Sequence, residues 1–147
     1  MQAERYLEFK SVRQLLEWQR SETHPALQVI VLAAARWHWL AAAGPAVVTA
    51  LLRTPREQKA IYPASSGGRS PHEFGRAADL RVSALTPAQA ESWADWINSA
   101  FAYRGRSGLM TALVHEVGGR GRHLHVQVGP GESSPESEVN TTAAPVV

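Results

Sequence analysis

At 147 residues, 44% hydrophobic and 19% charged, the chain has the length and composition of one globular unit with a single core, which excludes disorder over most of its length. It has no cysteine, so thiolate metal sites, disulfide scaffolds and cysteine nucleophiles are excluded; any metal must be held by His and carboxylate, and either redox compartment is open. The formal charge of +2 is uneven: beyond Gly129 stand Glu132, Glu136 and Glu138 with no Lys or Arg, so the body sets fifteen basic against ten acidic residues, about +5, a surface that tolerates nucleic acid, anionic lipid or wall polymer alike.

Met1–Lys10 alternates charges with isolated apolar residues and shows no secretory-signal pattern, so synthesis in the cytoplasm is expected. Apolar positions at Tyr6, Leu7, Phe9, Val12, Leu15, Leu16 and Trp18 predict an amphipathic helix within 4–20. Thr23 is expected to cap a second helix, with Pro25 in its first turn and Gly44-Pro45 as its stop. The apolar stretch 26–44 contains Gln28, Arg36 and His38 and falls short of the roughly 18 or more uninterrupted apolar residues of a membrane span, so no span is expected.

Ala46–Leu52 reads as a buried strand. Thr54-Pro55-Arg56-Glu57 is a capping box with Pro at the first helical position, opening a helix through Tyr62. Residues 63–71 read as a loop and Asp79–Val82 as a strand. A second capping box, Thr86-Pro87-Ala88-Gln89, opens a helix to about Tyr103 whose buried stripe is Trp93, Trp96, Ile97 and Phe101. Leu109–Val117 and His123–Val128 read as a hairpin around Gly118–Gly121. From Pro130 the composition lacks periodicity, and residues 130–147 are expected to be a disordered tail. Helices leading into an antiparallel hairpin predict an α+β fold, a small antiparallel sheet with flanking helices.

Two segments carry candidate chemistry. In His123-Leu-His-Val-Gln-Val128 the side chains alternate, so His123, His125 and Gln127 share one face while Leu124, Val126 and Val128 share the other. The apolar face fits a core, leaving two imidazoles directed into a cleft or solvent. In Ser70-Pro-His72-Glu-Phe-Gly75-Arg-Ala77-Ala-Asp79, a His and a carboxylate are joined by a short Gly-containing turn and can reach one ion. Three His and carboxylate ligands leave zinc a fourth position for water, the pattern of catalytic sites.

The pattern S-x-H-x-x-G-x-A-x-D followed by H-x-H resembles the zinc D-alanyl-D-alanine carboxypeptidases, their phage endolysin relatives and, more distantly, the Hedgehog signalling domain and lysostaphin-type peptidases. Ser70, His72, Gly75, Ala77, Asp79, His123 and His125 meet every fixed position, and Thr49–Gln58 looks like the strand and helix that family sets before the metal loop. The likeness spans roughly Val47 to Val128. It implies a Hedgehog/peptidase-like domain over 1–129, with a helical part at 1–44 and a catalytic core at 45–129.

The resemblance also implies Zn2+ held by His72, Asp79 and His125, with His123 beside the metal. Two residues compete to accept the proton and steady the oxyanion, His123 and, across the hairpin, Glu116. The family's Glu lies only a few residues before its last His, whereas Gly118–Arg122 lengthens that gap here. Arg53 is either a grip for a substrate carboxylate or a surface Arg near a helix start. Ser70 binds substrate or holds the loop. Arg76 and Arg81 are read as surface charge or as ion-pair partners for Asp79 and its neighbours, and His24, His38 and His115 as packing or surface.

The implied activity is hydrolysis of D-Ala-containing peptidoglycan stem peptides by a monomer acting on the cell wall, in host lysis or on a virion. A non-catalytic zinc-containing binding or virion module is the alternative. Nucleic-acid binding is not expected, because no aromatics interleave a basic stripe.

Overall fold

The computed structural model describes residues 6–61, 70–105, 107–116 and 121–131. Its elements in chain order are β1 (Leu7–Phe9), α1 (Val12–Trp18), α2 (Pro25–Ala42), β2 (Ala46–Ala50), α3 (Pro55–Ile61), a 3-10 helix (Pro71–Phe74), β3 (Ala77–Arg81), α4 (Pro87–Ala100), β4 (Ala112–Glu116) and β5 (Arg122–Gln127). The expected helix within 4–20 is shorter than its apolar pattern, because Leu7–Phe9 leaves it to pair with Ala46–Val48. That pairing is parallel, while β2–β3, β3–β5 and β5–β4 are antiparallel. The five-stranded sheet, ordered β1-β2-β3-β5-β4, is therefore mixed and not purely antiparallel as expected. The α+β class holds, but the N-terminal part is not only helical.

The cap of α2 is His24, not Thr23: its Nδ1 accepts from the Ala26 N–H at 3.1 Å. Thr23 instead donates to the Glu17 carbonyl at 2.7 Å, tying α1 to the following loop. The helix stops one residue before the Gly44-Pro45 signal, with Ala43 in the left-handed region at φ 51°. Both threonines cap as read, Thr54 accepting from the Glu57 N–H and Thr86 from the Gln89 N–H, but of the two the reciprocal bond that completes the box forms only at Thr86, whose N–H donates to Gln89 Oε1. Residues 71–74, expected as loop, form a helical turn whose own capping box joins Ser70 and Glu73. The expected loop at 118–120 and the tail from residue 132 lie outside the described residues.

One face of the sheet packs on α2 and α4. Leu27, Ile30, Val31, Ala34, Ala78, Leu80, Trp93, Ile97, Leu124 and Val126 form a single core drawn from both halves of the chain. Trp93 locks the two helices together, its Nε1–H donating to the Ala34 carbonyl at 3.0 Å. With that face filled by the even-numbered residues of β3 and β5, the odd-numbered ones, among them Asp79, His123 and His125, project to the other face. No helix among the described residues is long and apolar enough to cross a membrane.

Candidate metal centre

Asp79 sits on β3, the central strand, directly opposite His125 on β5. His72 approaches from the 3-10 helix, and its placement depends on Gly75. That residue adopts φ +67°, and a Cβ there would lie 1.7 Å from the Glu22 carbonyl oxygen, so only glycine lets the turn close against the loop before α2. The Gly75 carbonyl accepts from the His24 N–H at 2.8 Å, completing that contact. Ser70 holds the loop, its Oγ accepting from the His72 N–H at 3.3 Å.

The three side chains offer ligand atoms within 4.8 Å of one another. His72 Nε2 is 3.2 Å and His125 Nδ1 3.0 Å from Asp79 Oδ1. The edge of a tetrahedron with zinc–nitrogen and zinc–oxygen bonds of ordinary length is about 3.3 Å. His72 and Asp79 are buried, and His125 is partly exposed.

The hydrogen bonds behind the rings bear on which ring atoms face Asp79. His72 Nδ1 lies 2.7 Å from the Leu51 carbonyl. A carbonyl only accepts, so Nδ1 carries the proton and Nε2 turns a lone pair toward the Asp79 carboxylate. His125 repeats the pattern with its nitrogens exchanged. Gln127 Nε2 donates to the Met110 carbonyl at 2.8 Å, which orients the amide so that Oε1 accepts from His125 Nε2–H at 3.1 Å. The lone pair of His125 Nδ1 then also faces Asp79. Two lone pairs against one carboxylate repel unless a cation lies among them. A protonated ring would also supply one, but at His72 burial pushes the imidazolium down against the pull of Asp79. Burial alone would raise the Asp79 carboxyl; His72 and His125 hold it well below the usual carboxylate range only as charged or donating neighbours, and with both lone pairs turned inward that work falls to a bound cation. One divalent cation bound by His72 Nε2, Asp79 Oδ1 and His125 Nδ1 satisfies all three, and imidazole with carboxylate is a donor set that suits zinc.

Around this trio the sequence reading needs correction. Arg53 is placed on the ligand itself, its NH2 donating to Asp79 Oδ2 at 3.0 Å and its NH1 to Gln58 Oε1 at 3.2 Å. The ion-pair partner of Asp79 is thus Arg53, while Arg81 is exposed at the strand end. His123 stands where expected: Nδ1 lies 3.3 Å from the Gly121 carbonyl, leaving Nε2 on the site side, 3.7 Å from Asp79 Oδ1. Glu116 is not brought to the centre. It pairs with Arg122 across the hairpin, so strand alternation sends it to the face opposite the imidazoles, exposed at the strand end.

The neighbouring residue takes the position expected of Glu116. His115 pairs with His123, their ring centroids 4.7 Å apart, and lies 5.5 Å from the His125 ring. Its Nε2 is buried without a hydrogen-bond partner, and burial followed by the neighbouring His123 pushes its imidazolium down. A signal for it existed. With Ala112 and Val114 facing the core, parity alone sends His115 to the imidazole face. Gln127 was placed on that face by alternation, but its bond to His125 depends on Met110, fifteen or more residues away in the chain. No protein-family model, curated protein or solved structure matches this chain.

Proposed function

We propose that this protein is a zinc-dependent peptidase of peptidoglycan stem peptides, an endolysin or carboxypeptidase acting beside D-alanine on the cell wall. The observation that carries the metal is the cluster of His72, Asp79 and His125 ligand atoms within 4.8 Å of one another, with an acceptor oxygen behind each imidazole. The substrate class rests on the S-x-H-x-x-G-x-A-x-D and H-x-H resemblance.

His72, Asp79 and His125 would hold the ion, which when bound supplies Lewis-acid activation of a water and of the scissile carbonyl. Arg53 orients Asp79 by occupying its second oxygen, so Oδ1 is the atom left for the metal. Gln127 holds the His125 ring so that Nδ1 faces inward. His123 presents Nε2 to the site with Nδ1–H tied to the Gly121 carbonyl, which suits it to accept a proton and return it to the leaving amine. His115 backs His123 and offers its unpartnered Nε2 on the same face.

The deciding experiment measures amino groups released from purified peptidoglycan by the protein as isolated, after chelation and after zinc is restored. Release that disappears with chelator and returns with zinc is expected, and His72→Ala, Asp79→Ala and His125→Ala should abolish it together with zinc binding. Tight zinc binding without cleavage of any wall preparation would instead favour a non-catalytic zinc module.

A further inference from the structure

We infer that Glu17, on the N-terminal helix α1, is a positioning residue for the metal centre, acting through the segment Leu51–Arg53. The inference rests on the metal-binding part of the reading above.

Leu51, Leu52 and Arg53 lie between β2 and α3, outside regular secondary structure. Just before them the β2–β3 ladder shifts register between Val48 and Ala50, a bulge that takes the chain out of the sheet beside Asp79. Two of the three, Leu51 and Arg53, touch the site directly, with Leu52 between them. The Leu51 carbonyl accepts from His72 Nδ1 at 2.7 Å, and the Arg53 N–H donates to the His72 carbonyl at 3.2 Å. The Arg53 guanidinium holds Asp79. Two of the three ligands are therefore oriented by a segment that no strand or helix holds in place.

The Leu51 side chain is buried in the core, and the Leu52 backbone that follows is held by a carboxylate from the other end of the chain. Glu17 is buried at 7% exposure, and its Oε2 accepts from the Leu52 N–H at 3.1 Å. Its Oε1 accepts from Arg13 Nε at 2.7 Å, and Arg13 reaches on to both oxygens of Glu57 at the start of α3. A buried carboxylate is costly unless bonded, and a charged acceptor makes a stronger bond to a backbone N–H than a neutral one. Glu17 thus sets the Leu51–Arg53 strut between the bulge and α3, and α1 belongs to the metal centre mechanically although none of its residues reaches the ion.

The test is zinc affinity of the full chain by competition with a chromophoric chelator, with folding checked by circular dichroism. Glu17→Leu removes the acceptor, and a ten- to hundred-fold rise in Kd is expected, the range of about 10–100-fold seen when groups supporting metal ligands are lost. Glu17→Gln keeps a carbonyl oxygen for the Leu52 N–H and should stay within about threefold of wild type. Thr23→Val removes another buried bond of the same region, the one to the Glu17 carbonyl, and should lower stability without moving Kd. If Glu17→Leu does not fold, Glu17→Asp, whose shorter side chain draws the carboxylate away from Leu52, must show the same rise. A folded Glu17→Leu or Glu17→Asp with wild-type affinity overturns the inference, as does a Thr23→Val that weakens zinc equally. Wild-type protein that takes up no zinc would overturn the metal centre itself.

Discussion

Gln127→Leu isolates a single support of the centre, because the substitution keeps roughly the same bulk and removes only the amide. In wild type the amide is clamped between the Met110 carbonyl and His125 Nε2–H. Without metal, the 3.1 Å bond to His125 joins neutral groups and is worth about 1 kcal/mol net. With a cation on Nδ1 the ring is polarised and the bond approaches the charge-assisted class, about 2 kcal/mol. The difference is the share felt by metal binding. To it is added the lost preference for the tautomer with its lone pair on Nδ1, since a ring without Gln127 can donate Nδ1–H to Asp79. Together these come to about 1.4–2 kcal/mol, a ten- to thirty-fold rise in zinc Kd, with tenfold for every 1.4 kcal/mol. Chelator competition reads this directly, and Gln127→Glu, which keeps an acceptor for His125, should bind zinc at least ten times more tightly than Gln127→Leu. A folded Gln127→Leu with unchanged Kd would refute the tautomer reasoning, and with it the assignment of Nδ1 as the ligand atom.

Gly75→Ala forces a non-glycine residue to φ +67° and a Cβ onto the Glu22 carbonyl. The left-handed backbone costs about 1–2 kcal/mol and the overpacking about 1–3 more, so urea unfolding should show a loss of about 2–5 kcal/mol. Glu116→Gln should leave peptidoglycan cleavage within about twofold of wild type because the residue faces away from the centre, while His115→Ala should lower turnover with zinc content unchanged; the reverse ranking would return the proton-handling role to Glu116. Metal-free protein should lose stability as pH falls below about 6.5, because the unfolded chain protonates His72 before the folded one, where burial depresses it. For that one residue the loss between pH 7.5 and 5.5 is bounded at about 1.4 kcal/mol. Asp79, depressed in the folded state, contributes stability above the ordinary carboxylate range and loses it only at lower pH. Chemical denaturation across that range in the presence of chelator checks the sign, and stability that rises on acidification would contradict it.

Local chemistry settled much of this molecule in advance. Proline and capping residues within four positions of one another define where α3 and α4 begin, since an N-cap needs only its own first turn. Alternation over six residues put His123, His125 and Gln127 on one face and Leu124, Val126 and Val128 on the other, because side-chain direction in a strand is a property of the backbone itself. The same locality made His72 and Asp79 legible as partners, joined by a turn that only Gly75 can make. What depended on distant pairing was decided by the tertiary structure. Leu7–Phe9 has an apolar pattern that suits a helix or a strand, and the edge of β2 chose the strand. Thr23 suits a cap, but the Glu17 carbonyl drew it away and the His24 ring took that place. Strand parity already placed His115 on the imidazole face and Glu116 on the other, and the hairpin register then set His115 directly opposite His123. Arg53, Gln127 and Glu17 act through partners 26, 17 and 35 positions away. Such bonds are made only after the sheet has closed, which is why no local pattern in the sequence announces them.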